Sequence, residues 1–178
     1  MSLFLLELVP ATVGRGAVTE LLPAVDQVAS AAGGTLVESQ VTGAHDRVFT
    51  VVEAPSAEAL TGRFDALAGV SEVIGPDEVR LVGADLDALK AARPRAGYLV
   101  EWDLPDGLDM DTYLARKKAK ALRYADVPEV SFLRTYVRED MEKCLCFYDA
   151  PAEEDVVRGR KAVDTPIDRL HTLARDDR

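Results

Sequence analysis

The chain has 178 residues, 48% hydrophobic and 29% charged, enough for one domain or two small ones that each bury a core. Its formal net charge is −10, with 7 Lys+Arg against 13 Asp+Glu in residues 1–95 and 14 against 18 in residues 96–178. Neither half is basic, which argues against nucleic-acid and anionic-membrane partners.

The first segment, MSLFLLELVP, lacks a basic leader, and Glu7 and Pro10 interrupt its apolar run. It reads as a strand over 3–9 rather than a signal peptide, and no apolar run approaches the roughly 20 residues of a membrane span. Val18, Leu21, Leu22, Val25 and Val28 follow helical spacing, and Gly33-Gly34 stops that helix. Strands are predicted at 35–41 and 47–53, a second helix from Ser56 and a strand near 78–83. Residues 84–96 read as a linker, partly helical.

The same order then returns: a strand at 97–103 and a helix opened by the N-cap residue Asp109, with Lys117, Lys118 and Lys120 towards its end. Strands at 130–137 and 143–149, a helix from Ala152 and a strand near 167–173 complete it. Residues 35–60 and 131–156 align without a gap at an offset of 96, with Val41 over Val137, Ala54 over Ala150, Pro55 over Pro151 and Glu58 over Glu154. Upstream, LFLLELVP resembles YLVEWDLP, with Glu7 opposite Glu101. The expected fold is α+β, a β-α-β-β-α-β ferredoxin-like unit duplicated in tandem. The domains are residues 1–83 and 97–178, joined by 84–96. Sheet-to-sheet packing of the two units, a dimeric α/β-barrel-like pseudo-dimer within one chain, would cover apolar sheet faces that are otherwise exposed.

Alternation along the strands places candidate site residues on that covered face. Arg134 and Tyr136 occupy the row opposite Leu133 and Val137; Cys144, Cys146 and Tyr148 occupy the row opposite Leu145 and Phe147. Glu101 joins them from its strand, and Glu38 is the first repeat's counterpart of Arg134. The predicted ligand-binding set is therefore Glu38, Glu101, Arg134, Tyr136, Cys144, Cys146 and Tyr148. The structural alternatives are that the cysteines are small buried hydrophobes and that Arg134 pairs with Glu38 or Glu101. A Cys144–Cys146 disulfide would strain an extended strand, so both thiols are expected free. His45 falls in a hairpin loop, and the RKKAK run at 116–120 reads as a solvated helix face. No phosphate loop, nucleotide fingerprint or hydrolase motif is present, so no cofactor is expected.

YLVEWDLP, the RTYV strand, CLCFYDAP, the helix from Ala152 and TPIDRL together resemble a family of small ferredoxin-like proteins. It is a domain-of-unknown-function family common in actinobacteria that includes a nickel-binding protein. The likeness covers 97–173, and residues 1–83 resemble a diverged copy. It implies a nickel site built on histidines, but this chain has Arg134 and Gly159 at the two matching positions. Only Glu101, Tyr136, Cys146 and Tyr148 carry over, so no metal is expected.

The functional expectation is a cytoplasmic small-molecule-binding protein, monomeric or homodimeric, with no nucleic-acid or membrane partner. Its ligand would lie between the two sheets with Arg134 as anchor. The alternative is a cofactor-free oxygenase, isomerase or cyclase using the same pocket. Tyr136 or Glu101 would then be acid or base, Arg134 would stabilise negative charge, and Cys144 or Cys146 would be the nucleophile. A further alternative binds nickel or another transition metal through Cys144, Cys146 and His171.

Overall fold

The computed structural model describes residues 1–175; the last three residues of the predicted second domain lie outside the described residues. Contacts divide the chain into two compact units. The first comprises Met1–Val79, Ala84–Arg95 and the chain from Leu173; the second comprises Arg80–Gly83 and Ala96–Thr172.

The first unit runs β1 (Ser2–Pro10), α1 (Arg15–Ala31), β2 (Thr35–Val41), β3 (Val48–Ala54), β4 (Val70–Val82) and α2 (Leu86–Ala92), with Arg80 onward in β4 grouping with the second unit. Its strands lie in the order β2-β3-β1-β4, antiparallel to their neighbours. α1 buries Val18, Leu21, Val25 and Ala29 on Phe4, Leu6, Leu8, Val48 and Val52 of the sheet. That stripe recurs at three- and four-residue intervals, as an amphipathic helix requires.

One expectation fails in this unit. No second helix follows Ser56: residues 57–69 form successive turns, with Leu60 N–H donating to Ala57, Arg63 to Leu60 and Leu67 to Phe64. Gly62, at φ 74°, interrupts the run in a conformation no helix contains. The segment still buries Leu60 and Phe64 in the core. Residues 84–96 contain the expected helical stretch, α2. α2 is capped by Asp85, which accepts from Ala88 N–H, and Lys90 pairs with Glu53 at 2.9 Å.

The second unit runs β5 (Tyr98–Asp103), α3 (Met110–Lys120), a 3-10 turn (Ala121–Asp126), β6 (Ser131–Arg138), β7 (Lys143–Asp149), α4 (Glu153–Ala162) and β8 (Arg169–Thr172). Its strand order, β6-β7-β5-β8, repeats that of the first unit. As expected, Asp109 caps α3, accepting from Thr112 N–H at 2.7 Å.

The two hairpins match residue for residue. Leu36 pairs with Val52 and Phe132 with Tyr148; Glu38 pairs with Val51 and Arg134 with Phe147; Val41 pairs with Val48 and Val137 with Cys144. Each partner in the second hairpin lies 96 positions after its counterpart in the first. Both ladders skip one residue at the same place, between Leu36 and Glu38 and between Phe132 and Arg134. Glu7 is bound by Arg47 and Glu101 by Lys143, each at 2.8 Å.

Candidate functional site

The skipped residue, Leu133, rearranges the predicted site. A β-bulge advances the chain by one residue and so exchanges the two faces of a strand. Phe132 therefore shares a face with Tyr148, whereas Arg134 sits opposite Phe147, Thr135 opposite Cys146, and Tyr136 opposite Leu145. β5 places Glu101 opposite Leu145 and Trp102 opposite Cys144. The predicted set is thus divided: Cys144, Cys146 and Tyr148 lie on one face, Arg134, Tyr136 and Glu101 on the other. Glu38, at the same bulge in the first unit, is buried and accepts from Gln40 Nε2 at 2.8 Å.

The helices cover the cysteine face, whereas the site residues were expected on the face away from them. Cys144, Cys146 and Tyr148 pack with Tyr113 of α3 and Val156 of α4 in one core. Apolarity alone could not distinguish the faces, because both rows are fully buried. On the opposite face Arg134 lies with its guanidinium carbon 5.0 Å from the Phe147 ring centroid, and Tyr136 meets the same ring edge-on. Glu101 accepts from Lys143 Nζ at 2.8 Å and Arg169 Nε at 2.9 Å, and lies 2.8 Å from His171 Nε2. Burial would push its carboxyl up, but the bonds from His171, Lys143 and Arg169 outweigh this and hold it down at about 2.

On the helix side a residue without a sequence prediction organises the polar groups. Arg160 of α4 is 2% exposed. Its Nη1 donates to Tyr148 Oη at 3.3 Å and faces Cys146 Sγ at 3.5 Å, and its Nη2 donates to the Pro166 carbonyl. The Thr135 hydroxyl donates to Cys146 at 3.2 Å, and the two sulfurs lie 3.9 Å apart without a disulfide. The hydrogen bond from Cys144 drives the Cys146 thiol well below its ordinary range; the charges of Lys117 and Arg160 add to it against the opposing effect of burial. The bond to Cys146 and burial push Cys144 well up. Burial works against the charge on Arg160, but the neighbouring sulfur outweighs it, so the guanidinium stays protonated. Tyr148 Oη lies 2.6 Å from Tyr124 Oη; burial raises both phenols, Tyr124 to about 12.

This cluster backs onto a cavity of about 540 Å³ within the second unit, a size typical of small-molecule sites at roughly 300–1,000 Å³. Its walls include Trp102, Tyr113, Tyr124 and Phe132, with Arg116, Lys117, Lys118, Lys120 and Arg160 against one carboxylate, Asp164. The RKKAK run is therefore a cavity wall rather than simply a solvated helix face. The Lys117 ammonium lies 4.3 Å from the Phe132 ring centroid, and Lys120 Nζ donates to the Asp164 carbonyl at 3.0 Å. Arg160 Nε is buried with no acceptor among the described residues. One signal for Arg160 was present in the sequence: it follows the buried Val156 by four residues, on the same helix face.

The residues do not fit a nickel centre. Among the described residues no three His, Cys, Asp or Glu side chains converge to hold a metal ion. His171 is opposite Leu99, on the face away from Cys144 and Cys146. A cation on Cys146 would meet the Arg160 guanidinium, a positive charge where a ligand set needs a donor.

Fold and site together define a ferredoxin-like α+β protein with a cationic, aromatic cavity in its second unit. A family model described as "Nickel responsive protein SCO4226-like" matches residues 98–173, the greater part of that unit. No curated protein matches the chain. Two solved structures share its fold over nearly their whole length. One is a presumed chlorite dismutase, TA0507, with 13% identity, TM-score 0.52 and coverage of 98% of this chain and 96% of that one. The other is a presumed monooxygenase from Lactobacillus acidophilus, with 11% identity, TM-score 0.54 and coverage of 99% and 95%. At these identities the likeness extends to the fold alone. Among the described residues no helix is long and apolar enough to cross a membrane.

Proposed function

We propose that the chain is a small-molecule-binding protein whose ligand occupies the cavity of the second unit, with Arg160 as anchor. This moves the site from the expected space around Arg134 to the helix side of the sheet. The observation that carries the reading is Arg160, a buried residue of the cavity lining whose Nε has no acceptor among the described residues. Leaving such a group unsatisfied costs about 1–3 kcal/mol, and a ligand oxygen accepting from it recovers that cost. The local excess of cations in a chain of net charge −10 selects an anion and steers it inward.

In the same reading the chain is two copies of one ferredoxin-like unit, residues 1–83 and 97–178 joined by 84–96. The shared register and the paired bulges support the duplication. The first copy carries Thr50 and Val52 where the second has Cys146 and Tyr148, so the chemistry has diverged into the second. Its two free thiols suit a reducing cytoplasm, and it works as a monomer or homodimer. A cofactor-free enzyme would use the same cavity. The observation favouring that alternative is Tyr124, held protonated by its surroundings and facing the cavity as a potential acid.

The test is amide NMR with a library of small acids and their neutral amides. Acids should perturb residues 108–124 and 160–165. Perturbation centred on Arg134 and Glu101, or none by any compound, would reject the reading.

A further inference from the structure

The geometry points to a defined ligand class, resting on the cavity reading above: an aromatic carboxylate, its carboxylate shared between Arg160 and Lys117 and its ring against the Tyr124–Phe132 wall.

The charge follows from donors that remain to be used. Arg160 commits Nη1 and Nη2 to Tyr148, Cys146 and the Pro166 carbonyl, leaving Nε. Lys117 rests on the Phe132 ring and has no carboxylate partner among the described residues. Both cations line the same cavity. Two single donors suit the two oxygens of a carboxylate. Lys120 is less available, since Asp164 engages it.

The ring follows from the walls. Tyr124 and Phe132 stack at 5.7 Å between centroids and 10° between planes, and Trp102 packs on Tyr113 at 6.1 Å. Two aromatic pairs lining one cavity favour a flat, polarisable occupant over a flexible chain, because aromatic contacts contribute beyond simple area burial.

The test is calorimetric titration of the full chain with 1-naphthoate, 1-naphthamide, octanoate and inorganic phosphate. Emission of Trp102, the chain's single tryptophan, reports whether binding is at this cavity. Naphthoate should bind one to one, at least tenfold tighter than naphthamide and octanoate, and phosphate should not compete. Lys117→Gln, a partly exposed position whose folding is checked by circular dichroism, should weaken naphthoate at least tenfold and leave naphthamide unchanged. Arg160→Lys, which keeps the charge and loses Nε–H, should weaken it similarly. Octanoate binding as tightly as naphthoate would overturn the aromatic class while leaving the cavity reading intact. Naphthamide matching naphthoate, phosphate competition, or indifference to Lys117→Gln would overturn the carboxylate assignment. Silence of all four compounds, here and in the amide spectra, would remove the cavity reading as well.

Discussion

The Arg160 guanidinium lies 3.5 Å from the Cys146 sulfur, both side chains being almost wholly buried. Burying a guanidinium is costly without compensating partners, and its neighbour Cys146 has a thiol lowered from its ordinary range. Because the thiol's folded value lies below its unfolded one, its contribution to stability is complete above about pH 8.5 and is lost as pH falls through the folded value. The ultraviolet absorbance of a thiolate should rise at lower pH in the native protein than in the unfolded chain, and this step should be absent in Cys146→Ser. That variant should lose stability, because Arg160 loses one of its partners. An unchanged thiolate signal in Cys146→Ser would place the charge elsewhere.

On the other face of the same sheet, Glu101 provides an independent pH dependence. Its carboxyl is held at about 2 in the folded state, below the unfolded value of about 4.3. The stabilisation is therefore complete above the unfolded value and is lost as pH falls towards 2. After allowance for solvent screening it is on the order of 2 kcal/mol. Glu101→Gln should lower stability at pH 7 by about that amount and flatten the loss between pH 4.5 and 2.5 in urea titrations. A variant with the wild-type slope would show that another carboxylate governs acid unfolding.

Gly83 positions one cavity wall. Its φ is 88°, and a β-carbon there would lie 2.9 Å from Phe132 Cε1. Gly83→Ala should cost about 1–2 kcal/mol in thermal or urea unfolding. By displacing Phe132 it should also weaken 1-naphthoate several-fold. Weakened stability with unaltered binding would detach Phe132 from the ligand site.

A nickel-responsive family model matches residues 98–173, so metal binding is tested directly. Calorimetry should find nickel no tighter than on an acidic control protein, because Arg134 and Arg160 put positive charge on both faces of the hairpin. Stoichiometric sub-micromolar binding, abolished by Cys146→Ser, would overturn this.

Much of the fold was legible from patterning. Strand boundaries agree within a residue or two for seven of the eight strands; β4 begins eight residues early. The Gly33 stop and the Asp109 cap both describe local choices that the folded chain keeps. The segment after Ser56 reads as a helix from its place after Pro55, but Gly62 breaks the run. The site was less legible. Alternation predicts faces only while the ladder is regular, and the bulge at Leu133 leaves no compositional mark. It moved Arg134 away from Cys146 and brought Thr135 to it. Arg160 stood among charged neighbours in EEDVVRGRKA, and only its place four residues after Val156 distinguished it from a surface arginine.

The most direct test of the central claim is the side-chain Nε–H resonance of Arg160, assigned by loss in Arg160→Lys and followed during titration with 1-naphthoate or octanoate. A donor that gains an acceptor should move downfield, saturably and at one ligand per chain, while the Arg134 Nε–H stays in place. If Arg160 remains fixed at saturation, or if Arg134 moves instead, the ligand site is not in the cavity of the second unit.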